Sequence, residues 1–399
     1  MMDNRRLCIV INQSGAALRP SESFLHAHIS RLKGTVLPLI GSPTVRRTGL
    51  ETDAYLLRQT LPFRGARWLQ RKSRTSTIER QETKSLVDFF RRQRVQVVMA
   101  EYGPSALDVM EACRIAELPL ITHFHGWDAY VLASNPKQAD AYRTLFERST
   151  AIVAVSRHMQ AHLRSLGAPP AKVVWNPCGA DVRGIPEASP ASAPPLFISV
   201  GRPTPKKAAI VSLLAFAQVV RDIPTARLEL IGAGLDAPSL QAVRALRIEH
   251  TVSFVGPQPH KSILERLAGA RCYLHPSVTA PDGDMEGTPV SVMEAMAAGL
   301  PVVSTRHGGI MDLLEDTDAG ILADEYDVDA TAAAMLVYGQ DPARAAADGA
   351  EGKRLMHENW SMEHSLRKLD RIIELACAGD HAGIARMAMD DTLKGPEHD

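Results

Sequence analysis

The feature that most constrains this chain is an alternation that runs along most of its length. Apolar runs of three to six residues are separated by longer stretches with helical periodicity. Parallel strands need a crossover between them, usually a helix, so this alternation predicts βαβ units and parallel sheets. In the first half the candidate strands are Leu7 to Asn12, Val36 to Ile40, Val95 to Ala100, Leu118 to Thr122, Ala151 to Ser156 and Lys172 to Trp175. Helical spacing fits Arg80 to Arg92, Ala106 to Ala116 and Met159 to Leu166. A Pro/Ala/Ser stretch from Pro186 to Pro195 carries no periodicity and predicts a linker. The alternation then restarts, with strands at Leu196 to Val200, Ala226 to Ile231, Thr251 to Val255, Cys272 to His275, Pro301 to Ser304 and Gly320 to Leu322. Helices such as Lys207 to Arg221 and Pro289 to Ala298 separate them.

At 399 residues the chain exceeds the length at which single cores usually stop growing. Two doubly wound α/β sheets of similar size therefore fit better than one large sheet. The expected division is a first domain over 1–185, a linker over 186–195 and a second domain over 196–360. A helix over 361–378 should return to the first domain, ahead of a mobile polar tail over 379–399. Ligands are expected at the carboxyl ends of the strands, in a cleft between the domains.

Composition adds one asymmetry. The formal net charge is zero, yet up to Ile185 there are 26 Lys and Arg against 15 Asp and Glu, and afterwards 19 against 30. A basic first half suits phosphates, acidic glycans or an anionic membrane surface; complementary charge across a domain interface is the other reading. Arg64, Arg67, Arg71, Lys72, Arg74, Arg80, Lys84, Arg91 and Arg92 concentrate the charge, either as an acceptor or membrane surface or as a solvated helix face. Cys8, Cys113, Cys178, Cys272 and Cys377 are odd in number and far apart, with no C-x-x-C pair and no secretory leader, which predicts reduced thiols in a cytoplasm. No apolar run reaches about 18 residues, so no membrane-spanning helix is expected. Nucleic acid is not an expected partner.

The chemistry concentrates in a few strings. Gly283-Asp284-Met285-Glu286-Gly287-Thr288-Pro289-Val290 leads into Ser291-Val292-Met293-Glu294-Ala295-Met296-Ala297-Ala298-Gly299-Leu300-Pro301. Pro289 suits the first turn of a helix and Gly299 the position past its end. Glu286 then projects from the preceding loop, Glu294 lies within the helix, and amides of Gly287, Thr288 and Val290 favour an anion such as a diphosphate. This string is similar to the E-x7-E motif of the GT-B glycosyltransferases of family 4 (group 1).

The other strings agree. Ser199-Val200-Gly201-Arg202 leads to Lys207 at a strand-to-helix junction, where two cations can clamp a leaving diphosphate. It resembles the family's G-R-x-x-x-x-K, with Ala208 where glycine is usual and Lys206 as a solvated neighbour. Thr122-His123-Phe124-His125-Gly126-Trp127-Asp128 resembles the family's H-G-x-D, with His125 as the match, His123 structural, and a nearby carboxylate available to orient or charge the imidazole. Asn12-Gln13-Ser14-Gly15 stands where the family's loop approaches donor phosphates, although its glycine pair is missing. Asn176-Pro177-Cys178-Gly179-Ala180-Asp181 resembles N-G-V-D, with Cys178 as a packed thiol. Two patterns read as decoys. Gly232-Ala233-Gly234 after a strand could mark a dinucleotide site, but the family has a similar turn there. Asp282-Gly283-Asp284 has the form of a D-x-D metal site, but Arg202 and Lys207 already supply the phosphate-neutralising charge.

The resemblance implies two Rossmann-like doubly wound domains facing each other across a cleft. It implies transfer of a hexosyl group from a nucleoside diphosphate sugar to a hydroxyl, with anomeric configuration retained and no metal or cofactor required. UDP-hexose is the first expected donor and GDP-mannose the second. His125, Glu286, Arg202 and Lys207 would be catalytic; Arg202, Lys207, Glu294, Gly287, Thr288, Pro289, Val290, Gly15 and Gly256 would bind the donor nucleotide. Thr279 to Pro289 and Ser21-Glu22-Ser23-Phe24 look like bacterial exopolysaccharide transferases of the colanic acid type. That implies a glycan or lipid-linked oligosaccharide acceptor and a cytoplasmic protein, peripheral at the inner face of the plasma membrane. A same-fold nucleotide-sugar epimerase and a non-catalytic nucleotide-sugar-binding module remain the alternatives.

Overall fold

The computed structural model describes residues 5–11, 22–40, 76–232 and 237–390. Gly15 and its loop, Arg64 to Arg74 of the basic cluster, and Ala233 to Asp236 lie outside them. Two compact units emerge. One holds the described residues within Met1–Val155, Gln160–Asn176 and Leu366–Gly395; the other holds those within Ser156–Met159 and Pro177–Ser365.

The first unit is built on β1 (Arg6–Ile11), β2 (Thr35–Ile40), β3 (Val97–Glu101), β4 (Leu120–Phe124), β5 (Ala151–Ala154) and β6 (Val173–Trp175). They form one sheet in the order β2-β1-β3-β4-β5-β6, with every pairing parallel. β3, β4, β5 and β6 are buried at every residue, as a parallel sheet covered by helices on both faces requires. The β3–β4 register sets Glu101 opposite His123 at the carboxyl ends of their strands. The helix Ser76–Arg92 buries Leu86, Val87, Phe89 and Phe90 and exposes Lys84, Arg91 and Arg92, so these three cations form a solvated face.

The second unit is built on β7 (Leu196–Val200), β8 (Arg227–Ile231), β9 (Val252–Gly256), β10 (Cys272–His275), β11 (Val302–Thr305) and β12 (Gly320–Ala323). Its order is β12-β11-β10-β7-β8-β9, again all parallel. The chain winds outward from β7 to β9, then returns to β10 on the other side of β7. The strand order therefore reverses between β7 and β10, which is where doubly wound sheets bind ligands. All twelve expected strands are present, with ends displaced by at most two residues.

Two expectations about the chain's division are corrected. The stretch 186–195 is not a free linker: the units divide between Asn176 and Pro177, and it packs into the second unit. There the Ala188 amide donates to the Ala298 carbonyl at 2.7 Å, and the buried Arg271 guanidinium donates to the Ala193 carbonyl. The tail expected from residue 379 contains a helix, His381–Met389, whose Asp380 cap accepts from the Gly383 amide at 2.8 Å. Ile384, Met387 and Ala388, at helical spacing, bury one face of it. The preceding helix runs Met362–Ala378, and the chain rejoins the first unit from Leu366 onward.

The helix that carries Glu294, Val290–Ala297, buries Val292, Met293, Ala295 and Met296. It ends before Gly299, at φ +86°, where the helix Pro342–Asn359 crosses it closely at Gly349. A Cβ at 349 would meet the Gly299 carbonyl oxygen at 2.1 Å and its carbon at 2.8 Å. Alanine favours a helix interior by about 1 kcal/mol over glycine, but overpacking against fixed backbone costs about 1–3 kcal/mol. Gly349→Ala is therefore expected to lower the urea midpoint at unchanged m-value. A raised midpoint would mean that the two backbones separate freely.

Candidate active site

In the second unit the strand ends deliver a compact set of charged side chains. β7 runs into Gly201-Arg202, then a 3₁₀ turn, Pro205–Lys207, and Ala208, at φ +46° and ψ +46°, opens the helix Ala209–Asp222. That left-handed conformation favours glycine, so Ala208 holds it at a steric cost. A Cβ at Gly201 would lie 3.2 Å from Cδ of Lys207, so the absent side chain leaves room for the lysine stem. Lys207 Nζ forms an ion pair with Glu286 Oε1 at 2.7 Å and donates to His275 Nε2, at the end of β10, at 3.1 Å. An ammonium only donates, so that imidazole nitrogen carries no hydrogen. Burial and the adjacent Lys207 hold His275 well below the usual range, consistent with a neutral ring.

The loop bearing Glu286 is pinned from three directions. The Glu286 amide donates to His307 Nε2 at 3.0 Å, and His307 Nδ1 donates to Glu325 Oε1 at 2.5 Å. Glu325 also accepts from the Thr279 amide at 2.8 Å. Lys206 donates to Asp284 Oδ1 and to the Met285 carbonyl, each at 3.0 Å, so it is a clamp on this loop and not a solvated neighbour. The Gly309 amide donates to the Gly287 carbonyl at 2.8 Å. A Cβ would stand 2.5 Å from Glu286 O at Gly308 and 2.0 Å from Gly287 O at Gly309, so the close approach of these backbones requires glycine at both positions. His307, Gly308 and Gly309 escaped the reading of the sequence, although a His-Gly-Gly run at a strand end was its visible sign.

The remaining donor candidates fall around this core. Thr288 is buried, and Pro289 precedes the helix Val290–Ala297, which has no side-chain cap. Glu294 Oε1 accepts from His260 Nε2 at 2.7 Å, a hydrogen bond that pushes His260 upward. Arg202 is exposed, with no ion pair for its guanidinium among the described residues. Gly256, at φ +69°, accepts from the Gly232 amide at 2.8 Å. Cys178 is buried.

In the first unit His125 stands just beyond β4, with Asp128 close in sequence. Asp128 does not orient the imidazole; its carboxylate accepts from the backbone amides of Gly103, His125 and Gly126 at 3.0, 3.1 and 3.0 Å. The carboxylate on the ring is Glu101, whose Oε2 lies 2.7 Å from His125 Nε2. Its Oε1 lies 2.6 Å from His28 Nδ1. His123 Nδ1 is 3.1 Å from Oε2, within ion-pair distance but without hydrogen-bond alignment. Phe24 and Tyr102 flank the His125 ring, with centroids at 4.5 and 4.7 Å. Burial raises Glu101, but the surrounding imidazoles outweigh it and hold the carboxyl well below the usual range. Glu101 was also missed, because a single acid at the end of an apolar run carries no motif.

The two partners of the Lys207–Glu286 pair respond differently. Burial, reinforced by Lys206 and Arg202, lowers Lys207 despite Glu286. Burial raises Glu286, but Lys207, Lys206 and His275 together hold it far below its ordinary 4.5. A carboxyl whose folded pKa is depressed stabilises the fold above its unfolded pKa and loses that contribution as pH falls through the folded value. Removing one partner of a buried pair costs about 3–5 kcal/mol. Lys207→Met is therefore expected to cost about 3 kcal/mol near neutral pH, and less as acid neutralises Glu286. Adding Glu286→Gln should recover part of that loss; additive losses in chemical denaturation would show the two groups to be uncoupled.

The family description Glycosyltransferase Family 4 matches residues 47–183, and Glycosyl transferases group 1 matches 185–354. The putative colanic acid biosynthesis glycosyltransferase WcaL of Escherichia coli is 34% identical over 255 residues, 62% of this chain and 62% of WcaL. The match thus spans under two thirds of that relative's length. The amylovoran biosynthesis glycosyltransferase AmsK of Erwinia amylovora is 31% identical over 279 residues, 68% of each chain. The structure of Anabaena HepE in complex with UDP-glucose superposes with a TM-score of 0.70 at 17% identity, covering 93% of this chain and 99% of HepE. With its two parallel six-stranded sheets the chain has the GT-B fold, and it belongs to the family 4, group 1 glycosyltransferases.

Proposed function

We propose that this chain is a retaining glycosyltransferase that moves a hexosyl group from a nucleoside diphosphate sugar to a hydroxyl of a glycan or lipid-linked oligosaccharide in exopolysaccharide biosynthesis. The observation that carries the reading is the cluster at the β7–β10 strand ends. There a half-buried lysine, Lys207, is balanced between Glu286 and His275, and the exposed Arg202 stands five residues earlier. A departing diphosphate needs a multidentate donor and a fixed point charge, which Arg202 and Lys207 supply. Glu286, held ionised and with its backbone amide hydrogen-bonded to His307, accepts hydrogen bonds from sugar hydroxyls. The helix start at Thr288, Pro289 and Val290 adds its dipole, Glu294 takes the nucleotide ribose, and His125 contacts the reacting sugar. Lys206 already neutralises Asp284 of the D-x-D string, which argues for metal-independent chemistry.

No carboxylate is assigned as a covalent nucleophile, and same-face attack assisted by the leaving phosphate accounts for retention. A UDP-hexose is the preferred donor, supported by the UDP-glucose in the HepE complex, with GDP-mannose second. The names of WcaL and AmsK support an exopolysaccharide product. No helix among the described residues is long and apolar enough to cross a membrane, and the basic first half suits a cytoplasmic protein peripheral to an anionic inner surface.

A thermal-shift panel of UDP, GDP, ADP and CDP tests the donor assignment. A nucleotide at 100 times its Kd stabilises the fold by about 2.7 kcal/mol. UDP is expected to raise the Tm of the wild type, with a smaller rise for Arg202→Ala and Glu294→Ala. If no nucleotide raises it, and no nucleoside diphosphate is released from UDP-glucose or GDP-mannose, the transferase reading fails.

A further inference from the structure

Glu101 is a fully buried carboxylate to which the transferase reading gives no task. Its two oxygens are divided between two rings, Oε1 facing His28 Nδ1 at 2.6 Å and Oε2 facing His125 Nε2 at 2.7 Å. An ionised carboxylate only accepts, so both of those nitrogens must carry hydrogen. Proton placement follows for the neighbours. His28 Nε2 is buried without a partner, and a hydrogen there would be a buried unmatched donor, so His28 carries its hydrogen on Nδ1 alone. Both nitrogens of His123 are buried without hydrogen bonds, and burial, reinforced by His125 and only partly opposed by Glu101, brings that ring down to about 4. A neutral His123 still carries one hydrogen, and Nδ1, 3.1 Å from Glu101 Oε2, is where it faces an acceptor, so His123 lies beside the Glu101–His125 contact with its ring centroid 4.2 Å from that of His125.

Three further neighbours fix the position of the ring. Phe24 stacks on it, Tyr102 tilts against it with its hydroxyl turned to Glu22 Oε1 at 3.1 Å, and Asp128 is occupied by backbone amides. We propose that Glu101 is the positioning residue for His125, holding the imidazole in one ring orientation with hydrogen on Nε2, and that His28 anchors Glu101 from the opposite side. Built on the transferase reading of His125, this assigns to a strand-end carboxylate the alignment that the H-G-x-D string does not provide. His28, Glu101 and His123 also bring ligand-type atoms within 4.8 Å of one another, a spacing that a cation could use. The carboxylate oxygens are already engaged by His28 and His125, and the hydrogen-bonded arrangement accounts for the geometry.

The full chain labelled with ¹³C and ¹⁵N in histidine tests this in two arms, with His125→Asn used to assign the His125 signals. In the wild type, ring nitrogen shifts of His125 are expected to report hydrogen on Nε2 at neutral pH. In Glu101→Gln, whose amide nitrogen cannot accept, they should change to a mixed tautomer population. With UDP-glucose hydrolysis as the kinetic readout, Glu101→Gln should lower kcat about 100-fold, the scale of misplacing a reacting group. Its KM for donor should change less than threefold, and Glu101→Asp should recover part of kcat. Unchanged His125 shifts in Glu101→Gln, or an equal loss in Glu101→Asp and Glu101→Gln, would overturn the proposal. One tightly held zinc per wild-type chain, absent from Glu101→Gln, would overturn it in favour of a metal site. If the wild type hydrolyses no donor, the transferase reading fails, while the nitrogen shifts still decide where Glu101 holds the proton.

Discussion

Because every strand pairing in both sheets is parallel, all strand ends of one polarity emerge on the same edge of each sheet, and the chemistry of the molecule follows from that constraint. In the second unit β7, β10 and β11 deliver Lys207, His275 and His307 to one edge, although the sequence separates them by up to a hundred residues. In the first unit β3 and β4 do the same for Glu101, His123 and His125. The reversal of strand order between β7 and β10 opens a gap between their crossovers, and Lys207 and His275 lie on its two sides.

Concentrating charge at a sheet edge is costly unless each group is matched, and the two units solve this in related ways. Glu286 is buried against an ammonium, and its backbone is tied through His307 to a second carboxylate, Glu325. Glu101 is buried against imidazoles instead. The difference has a chemical consequence. Lysine holds a fixed charge beside Glu286, suited to a site that meets a diphosphate. Histidines around Glu101 form directional bonds in which each proton position depends on the others. The first arrangement supplies electrostatic strength and the second supplies geometry.

The fold was legible in the sequence to the level of individual strands, because buried parallel strands read as short apolar runs whatever their neighbours. The residues proposed to meet the donor stood out in the sequence for a different reason. Lys207, Glu286 and Glu294 sit in strings whose spacing matches one chain turn and one helix. Glu101, His307, Gly308 and Gly309 were not legible, since their partners are supplied by other strands and spacing along the chain cannot reveal pairing across a sheet. The last helix was overlooked because its buried face is only Ile384, Met387 and Ala388 among small and polar residues. The stretch 186–195 was misread because its composition is that of a linker, while its contacts are backbone hydrogen bonds that composition does not encode.

Those backbone contacts also explain why the Glu286 loop can be both irregular and well defined. A loop that turns from β10 into a short helix leaves its peptide groups without ladder partners, and here His307, Lys206 and Gly309 take up three of them. The two glycines matter because only backbone without side chains comes close enough to make the last of these bonds. Lys206 couples the Lys207 turn to the same loop through Asp284, so the groups proposed to meet diphosphate and sugar are joined by hydrogen bonds. A change at Gly309 or Lys206 is thus transmitted to Glu286 through the backbone, and its effect on chemistry should follow the displacement of that carboxylate more than any loss of charge.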